Sequence, residues 1–332
     1  MAAGFLLLAQ PLLAAGAETL TVDPNNASCG DPSNDTYCSI QNAIDSASPG
    51  AVIRISAGEF DLWGEALQID KDLILRGAGA DKTILDGGGD NPRPLITISE
   101  SVSVEISGLN LINRVRSGSR DMGPGAIDHN GDDLRINDVF MRDNQGGWGG
   151  AVRLRSEFGE IEFKNVVIEN NSAFAGAGIA FYDGPGAKLT ITNSTIRKNS
   201  AVFSGGAIFL RDLSELEMVS VNLTENRTGN TGGGMHVFSQ TSNTQVSIDD
   251  SKITGNISGG TGGISVMGDD VQIKLERTIL SSNTSEDDPA KSDCSAGREG
   301  MFVSKGNNRI GIGDGCLLQS AGGDFVGSVR TP

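Results

Sequence analysis

Seven asparagines recur along the chain at nearly even spacing: Asn113, Asn144, Asn171, Asn199, Asn226, Asn256 and Asn283, separated by 31, 27, 28, 27, 30 and 27 residues. A period of about 28 residues is that of a solenoid, in which each repeat buries its apolar face only by stacking on its neighbours. A chain built this way is expected to be one body with one continuous core, rather than a string of different domains.

Around each asparagine lie three short apolar stretches with a period of two, which is strand spacing. The first reads Leu134-x-Ile136, Ile161-x-Phe163, Leu189-x-Ile191, Leu216-x-Met218, Val246-x-Ile248 and Val271-x-Ile273. The second ends three residues before the asparagine, on Met141, Ile168, Ile196, Leu223, Ile253 and Leu280, and the third follows glycines, as in Gly205-Gly206-Ala207-Ile208-x-Leu210. Three strands per turn, each pairing with its equivalent one turn on, predict an all-β fold, a single right-handed parallel β-helix of about ten turns. Glycine and asparagine are expected at the corners, where a left-handed backbone costs them least, and stacked asparagine amides can pass hydrogen bonds from turn to turn.

The ends read differently from the middle. Residues 1–17 are an apolar run closing on Ala15-Gly16-Ala17 and read as a signal peptide cleaved before Glu18. Residues 18–50 read as an N-terminal cap, with Ile40, Ala43, Ile44 and Ala47 at helical spacing behind Ser39 as N-cap. The β-helix proper is expected over 51–290 and a C-terminal cap over 291–332, with no transmembrane segment in the mature chain. Export makes disulfides the expected state of the four cysteines. Four cysteines permit three connectivities; local pairing of Cys29 with Cys38 and of Cys294 with Cys316 would staple the two ends. A net charge of −16 argues against nucleic acid as a partner.

Cys38-Ser-Ile-Gln-Asn-Ala-Ile44 resembles the Cys-Ser-Leu-Arg-Glu-Ala motif that opens many secreted bacterial β-helix proteins. The runs Ser48 to Phe60 and Leu73 to Gly79 resemble the first turns of the pectin-lyase-like superfamily. Gly205-Gly206-Ala207-Ile208, taken with Ile196-x-x-Asn199, is similar to the repeats of polymorphic outer-membrane adhesins. The resemblance implies the same fold and says little of chemistry; with the apolar run at residues 1–17 it leads to a secreted, extracellular or cell-surface location as the expectation, while a polysaccharide or cell-surface glycan as partner is expected from the side chains of the third stretch. The chain departs from these families in lacking an outer-membrane barrel or anchor segment after Val326, and the aspartate clusters and the Gly-His-Gly and Arg-Ile-Lys motifs of galacturonan hydrolases. Gly131-Asp132-Asp133 and Gly268-Asp269-Asp270 look like catalytic aspartate pairs, but each stands immediately before a first-stretch strand and reads as a corner.

Alternate residues of the third stretch are expected on its outer face: Asp128, Arg153 and Arg155, Tyr182, Phe209 and Arg211, His236 and Phe238. On an acidic chain with only 5% aromatic residues, this strip stands out. Arginine pairs carboxylates bidentately and rings stack on sugar faces, so Arg153, Arg155, Phe209, Arg211 and Phe238 are the candidate contacts for an acidic glycan. That makes a glycan-binding or adhesive surface protein the first reading. The second is a polysaccharide lyase acting on a uronic-acid polymer by β-elimination, with an arginine neutralising the carboxylate, Tyr182 or His236 as base, and Asp128 helping to hold calcium. A third, a structural spacer, predicts an evenly polar surface. No acid–base constellation is complete in the sequence, which favours binding and leaves catalysis open. His129 falls in the inward column and reads as a core residue.

Overall fold

The computed structural model describes residues 17–30, 35–88, 93–112, 123, 125–240, 244–268, 270–297 and 300–328. The run up to residue 16, expected to be a signal peptide, and Asn113 and Asp269 lie outside the described residues.

The chain is a parallel β-helix, as the repeat predicts. Its second strands form an eleven-stranded sheet in which every neighbour is one turn away, from Gly58–Asp61 at one end to Phe325–Val326 at the other. The end turns lack a third strand, so the number of complete turns differs slightly from ten. The other faces merge because Ile179–Thr192 and Ile208–Val219 each run from the third position of one turn into the first position of the next. A fourth, two-residue strand also appears just after the asparagine corner in five turns, from Ser172–Ala173 to Thr284–Ser285. Strands this short carry too little apolar periodicity to be read in the sequence.

The expected core columns are stacked in register. Ile168, Ile196, Leu223 and Ile253 follow one another along the second sheet, and Ile179, Ile208, Met235 and Ile264 along the third. All eight are buried, and full burial of each aliphatic side chain contributes roughly 1.5–3 kcal/mol before entropy is counted. One strand sits elsewhere than expected: Ile273 and Leu275, not Val271 and Ile273, pair with Val246 and Ile248. A shift of two residues keeps the same face inward, so alternation alone does not fix it.

The asparagine column is a ladder. Each amide nitrogen from Asn144 to Asn256 donates to the side-chain oxygen of the asparagine one turn on, at 2.9 to 3.0 Å. That same oxygen accepts the backbone N–H of the donating asparagine. The left-handed corner, however, falls one residue earlier, at Asp143, Asn170, Lys198, Glu225, Gly255 and Ser282. Asparagine is therefore held in the column by its amide, not by tolerance of positive φ.

The N-terminal end is closed. The helix Ile40–Ser46 is capped by Ser39, whose hydroxyl accepts from the Asn42 N–H, and it buries Ile40, Ala43 and Ile44 over the first turn. Gln41 then acts as a surrogate strand. Its oxygen accepts from the Gln68 N–H at 2.9 Å and its nitrogen donates to the Gln68 carbonyl, covering the edge of the strand Leu67–Ile69 that faces out of the solenoid. Cys29 is bonded to Cys38 and Cys294 to Cys316, the local pairing expected. Disulfides belong to oxidising compartments. No helix among the described residues is long and apolar enough to cross a membrane.

Candidate functional site

The third strands stack the expected strip in register. Asp128, Arg153, Ala180, Phe209, His236 and Ser265 form one column, and Tyr182, Arg211, Phe238 and Met267 a second. The pleat turns these side chains away from the core, but it does not leave them in water. Tyr182 is 9% exposed, and Phe209 and His236 are 5% exposed. Trp148, projecting from the corner before the third strand, lies over this face. Its ring centroid is 4.8 Å from Tyr182 and 5.7 Å from Phe209 with edge-on geometry, and Phe209 lies 5.7 Å from His236. The expectation of a solvent-facing strip is corrected here: much of it is the floor of a second, small aromatic core.

The arginines are already paired. Arg153 meets Asp128 through Nε and Nη2 at 2.8 and 2.7 Å, a bidentate fork, and Arg155 lies 3.8 Å from the same carboxylate. Arg211 is 3.7 Å from Asp183 and 3.5 Å from Asp212. The guanidiniums expected to receive an acidic sugar thus receive the protein's own aspartates. Asp128 itself is nine-tenths buried with both oxygens on Arg153. Two arginines beside it do not make a calcium site, and among the described residues no group of three His, Cys, Asp or Glu is arranged to hold a metal ion.

Neither expected base is set up for proton abstraction. Burial holds the His236 imidazole down at about 4, against a weaker opposing backbone contact from Ser265, so it is neutral at pH 7 but shut away. Burial drives the Tyr182 phenol upward, with Arg153 and Arg211 offsetting only part of it. A phenolate is therefore not accessible at neutral pH. Phe238 is half-buried farther along the strip.

An open groove does exist, one step to the side. Where the third strand gives way to the next first strand, the corners of four successive turns enclose about 530 Å³, lined by Glu100, Asn130 and Asp132, Arg155, Glu157 and Phe158, and Tyr182 and Asp183 among others. The corner at 155–160 is built by close approach. Ser156 donates its hydroxyl to the Asp132 carbonyl and accepts the Gly159 N–H. A Cβ at Gly159 would come within 1.7 Å of the Asp132 oxygen, so only glycine fits. The tether throws Glu157 and Phe158 outward. Phe158 is 77% exposed, and its ring lies against Gly186 of the next turn, where a Cβ would be 2.4 Å away.

Of the expected contacts, Arg155 and Tyr182 reach this groove, while Arg153, Phe209, Arg211, His236 and Phe238 do not line it. Asp132, expected as a plain corner residue, is part of its wall. Sequence reasoning passed over Glu100, Glu157 and Phe158, and also an aromatic shelf on the opposite side of the third strand. There Phe174 and Phe203 stack with centroids 5.4 Å apart and planes 1° apart, each 44% exposed, with Trp148 edge-on to Phe174. A signal for the shelf was present: Trp148, Phe174 and Phe203 stand four, three and four residues after Asn144, Asn171 and Asn199.

No protein-family model matches this chain, and no curated protein matches it in sequence. Solved structures of similar path include the pectate lyase Pel9A, 14% identical, covering 94% of this chain and 78% of that one with a TM-score of 0.48. The A-module of the Azotobacter vinelandii mannuronan C-5 epimerase AlgE4 is 17% identical, covering 86% and 94% with a TM-score of 0.48. The catalytic domain of a GH87 α-1,3-glucanase is 14% identical, covering 97% and 70% with a TM-score of 0.43. At these identities and scores the likeness says nothing about the chemistry of this chain's surface. The structure itself defines the class: a disulfide-stapled parallel β-helix with a lateral groove along its corner.

Proposed function

We propose that the chain is a non-catalytic, extracellular polysaccharide-binding β-helix, its ligand lying in the lateral groove parallel to the solenoid axis. The observation that carries this reading is the groove itself. It is an elongated hollow spanning four turns, with an exposed ring at Phe158, a buried phenol at Tyr182 and a fringe of polar groups. Sugar chains are recognised by such a mixture, since a ring packs on the apolar face of a pyranose while carboxylate, amide and guanidinium groups take its hydroxyls. Adhesion to a glycan-coated surface is the use such a module would serve, and the two disulfides suit an extracellular setting.

The lyase reading has less support because His236 is buried, the Tyr182 phenol is pushed upward and the strip arginines are engaged. The spacer reading has less support because Phe158, Phe174 and Phe203 stand exposed at the two corners that flank the third strand, where an inert rod would be evenly polar. A glycan array probed with the wild-type chain and with Phe158→Ala tests the proposal. Retention on a defined glycan class, lost in the variant, supports it. Absence of retention on every glycan, or retention unchanged by the substitution, sinks it.

A further inference from the structure

Directly behind the groove wall sits a side chain that the glycan-binding reading does not use. His129 is fully buried, and neither of its ring nitrogens has a hydrogen-bond partner among the described residues. The next three residues, Asn130, Gly131 and Asp132, form part of the wall. Gly131 fits closely between the imidazole and the turn before: a Cβ there would lie 3.1 Å from the His129 Cε1 and 2.3 Å from the Val102 carbonyl oxygen. Contact then passes to the corner that carries Glu157 and Phe158. The Ser156 hydroxyl donates to the Asp132 carbonyl at 3.2 Å, and the Glu160 N–H donates to Asp133 Oδ1 at 2.9 Å.

An imidazolium has no counterion where His129 now lies. Its neighbours in register, Ile98 and Leu154, are apolar. The charged groups around it are Asp128, Asp132 and Asp133 on its own stretch, Glu100 on the corner before, and Arg153 and Arg155 on the strand after, both arginines facing Asp128. Burial pushes the imidazole down to about 4, against smaller opposing contributions from the Asp132 backbone and the Asp128 and Asp133 charges. A proton is taken up readily only when the corner opens and the ring reaches water and the carboxylates, where its pKa returns to about 6.5.

We infer that protonation of His129 opens the groove wall at 129–133 and, through Ser156 and Glu160, frees the corner that carries Phe158, so that the groove is intact at neutral pH and opens in mild acid while the rod stays folded. The open form binds the proton and the closed form does not, so opening is favoured as pH falls through the range between the two pKa values. The use of such a switch, release of a bound glycan in acid, rests on the function proposed above. The opening itself does not, and it is tested without a ligand.

The test is amide hydrogen exchange of the full, unliganded chain. It is read at the N–H groups of Asn130, Asp132, Gly159 and Glu160, which donate to the Ile98 and Val102 carbonyls, the Ser156 hydroxyl and the Asp133 carboxylate. Their protection factors are expected to be flat above pH 7.5 and to fall about thirtyfold from pH 7.5 to 5. Local opening exposes little surface, so this exchange should be almost insensitive to low concentrations of urea, unlike that of the second-sheet strands Thr195–Arg197 and Asn222–Thr224. In His129→Leu the four amides should keep their protection from pH 7.5 to 5. The switch is overturned by protection that does not fall in the wild type, or by a fall that persists in His129→Leu. Urea sensitivity equal to that of the second-sheet strands would make the opening global unfolding and overturn it too. Should His129→Leu not fold, the wild-type profile decides: a slope far from about sevenfold between pH 6 and 5 is not the titration of this group. Each of these failures leaves glycan binding in the groove standing.

Discussion

Asn283 donates both its backbone N–H and its side-chain amide to one oxygen of Asp293, at 3.0 and 2.8 Å, while the other oxygen of Asp293 accepts from the Ile312 N–H at 2.7 Å. Asp293 thus stands where the next asparagine of the ladder would be. The ladder runs donor to acceptor from Asn144 onward, so its last member needs an acceptor and no further donor, which a carboxylate provides. Asp324 has a comparable role near the C-terminal end, accepting from the Asn308 and Ala321 N–H groups and from the Ser304 hydroxyl.

From this direction follows a pair of substitutions with unequal cost. Asp293→Ala strips three acceptor contacts from buried donors and should destabilise by about 3 kcal/mol. Asn226→Asp should be at least as costly, because a carboxylate cannot donate to the Asn256 oxygen that the Asn226 amide now reaches at 3.0 Å. Asp293→Asn keeps an acceptor toward Asn283 and should cost less than either. Denaturant midpoints rank the three, and an Asn226→Asp variant as stable as the parent would deny the ladder its direction.

His129 is fully buried beside Ile98 and Leu154, with neither ring nitrogen hydrogen-bonded. Burial holds it at about 4, outweighing the backbone of Asp132 and the charges of Asp128 and Asp133. Its folded pKa lies below the unfolded value, so the unfolded chain binds more protons between these two values. Stability is full above about pH 6.5 and falls as pH drops toward 4, by about 2 kcal/mol per such histidine at pH 5. His236, also at about 4, adds to this. Thermal melts should show His129→Leu flattening the loss between pH 7.5 and 5, and an unchanged pH profile would contradict the assignment.

Two aromatic residues should separate stability from binding. Phe158→Ala changes a side chain that is 77% exposed and should alter stability by no more than about 0.5 kcal/mol. Trp148→Ala removes edge contacts to Phe174, Tyr182 and Phe209, each worth about 0.5–1.5 kcal/mol, and should destabilise clearly. Chemical unfolding of both variants checks the contrast.

Reduction should loosen the ends before the middle. The Cys29–Cys38 and Cys294–Cys316 bonds close loops with sequence separations of 9 and 22, each contributing on the order of 2–4 kcal/mol. Amide exchange after reduction is expected to rise over 17–30 and 294–326 while the strands from Leu134 to Val219 stay protected. Uniform loosening would argue against end staples.

The fold was legible because the pleat forces core residues into alternation, and stacking repeats that alternation every turn. Ile208 and Ile196 could be placed inward from spacing alone. Exposure could not be read the same way: alternation assigns Tyr182, Phe209 and His236 to the outer face, but Trp148, arriving from a corner, decides that they are covered. Pairing was equally hidden, since the match of Arg153 with Asp128 depends on which turn stacks on which. Corner lengths vary from turn to turn, so the groove residues Glu157 and Phe158 have no periodic signature.

The most direct test is amide hydrogen exchange of the full chain with and without the polysaccharide selected on the array. Protection confined to the corners at 100–101, 130–132, 155–158 and 182–183 is the predicted result. Protection along the second-strand sheet instead, or saturable binding that leaves these four corners unchanged, would contradict the groove as the binding site.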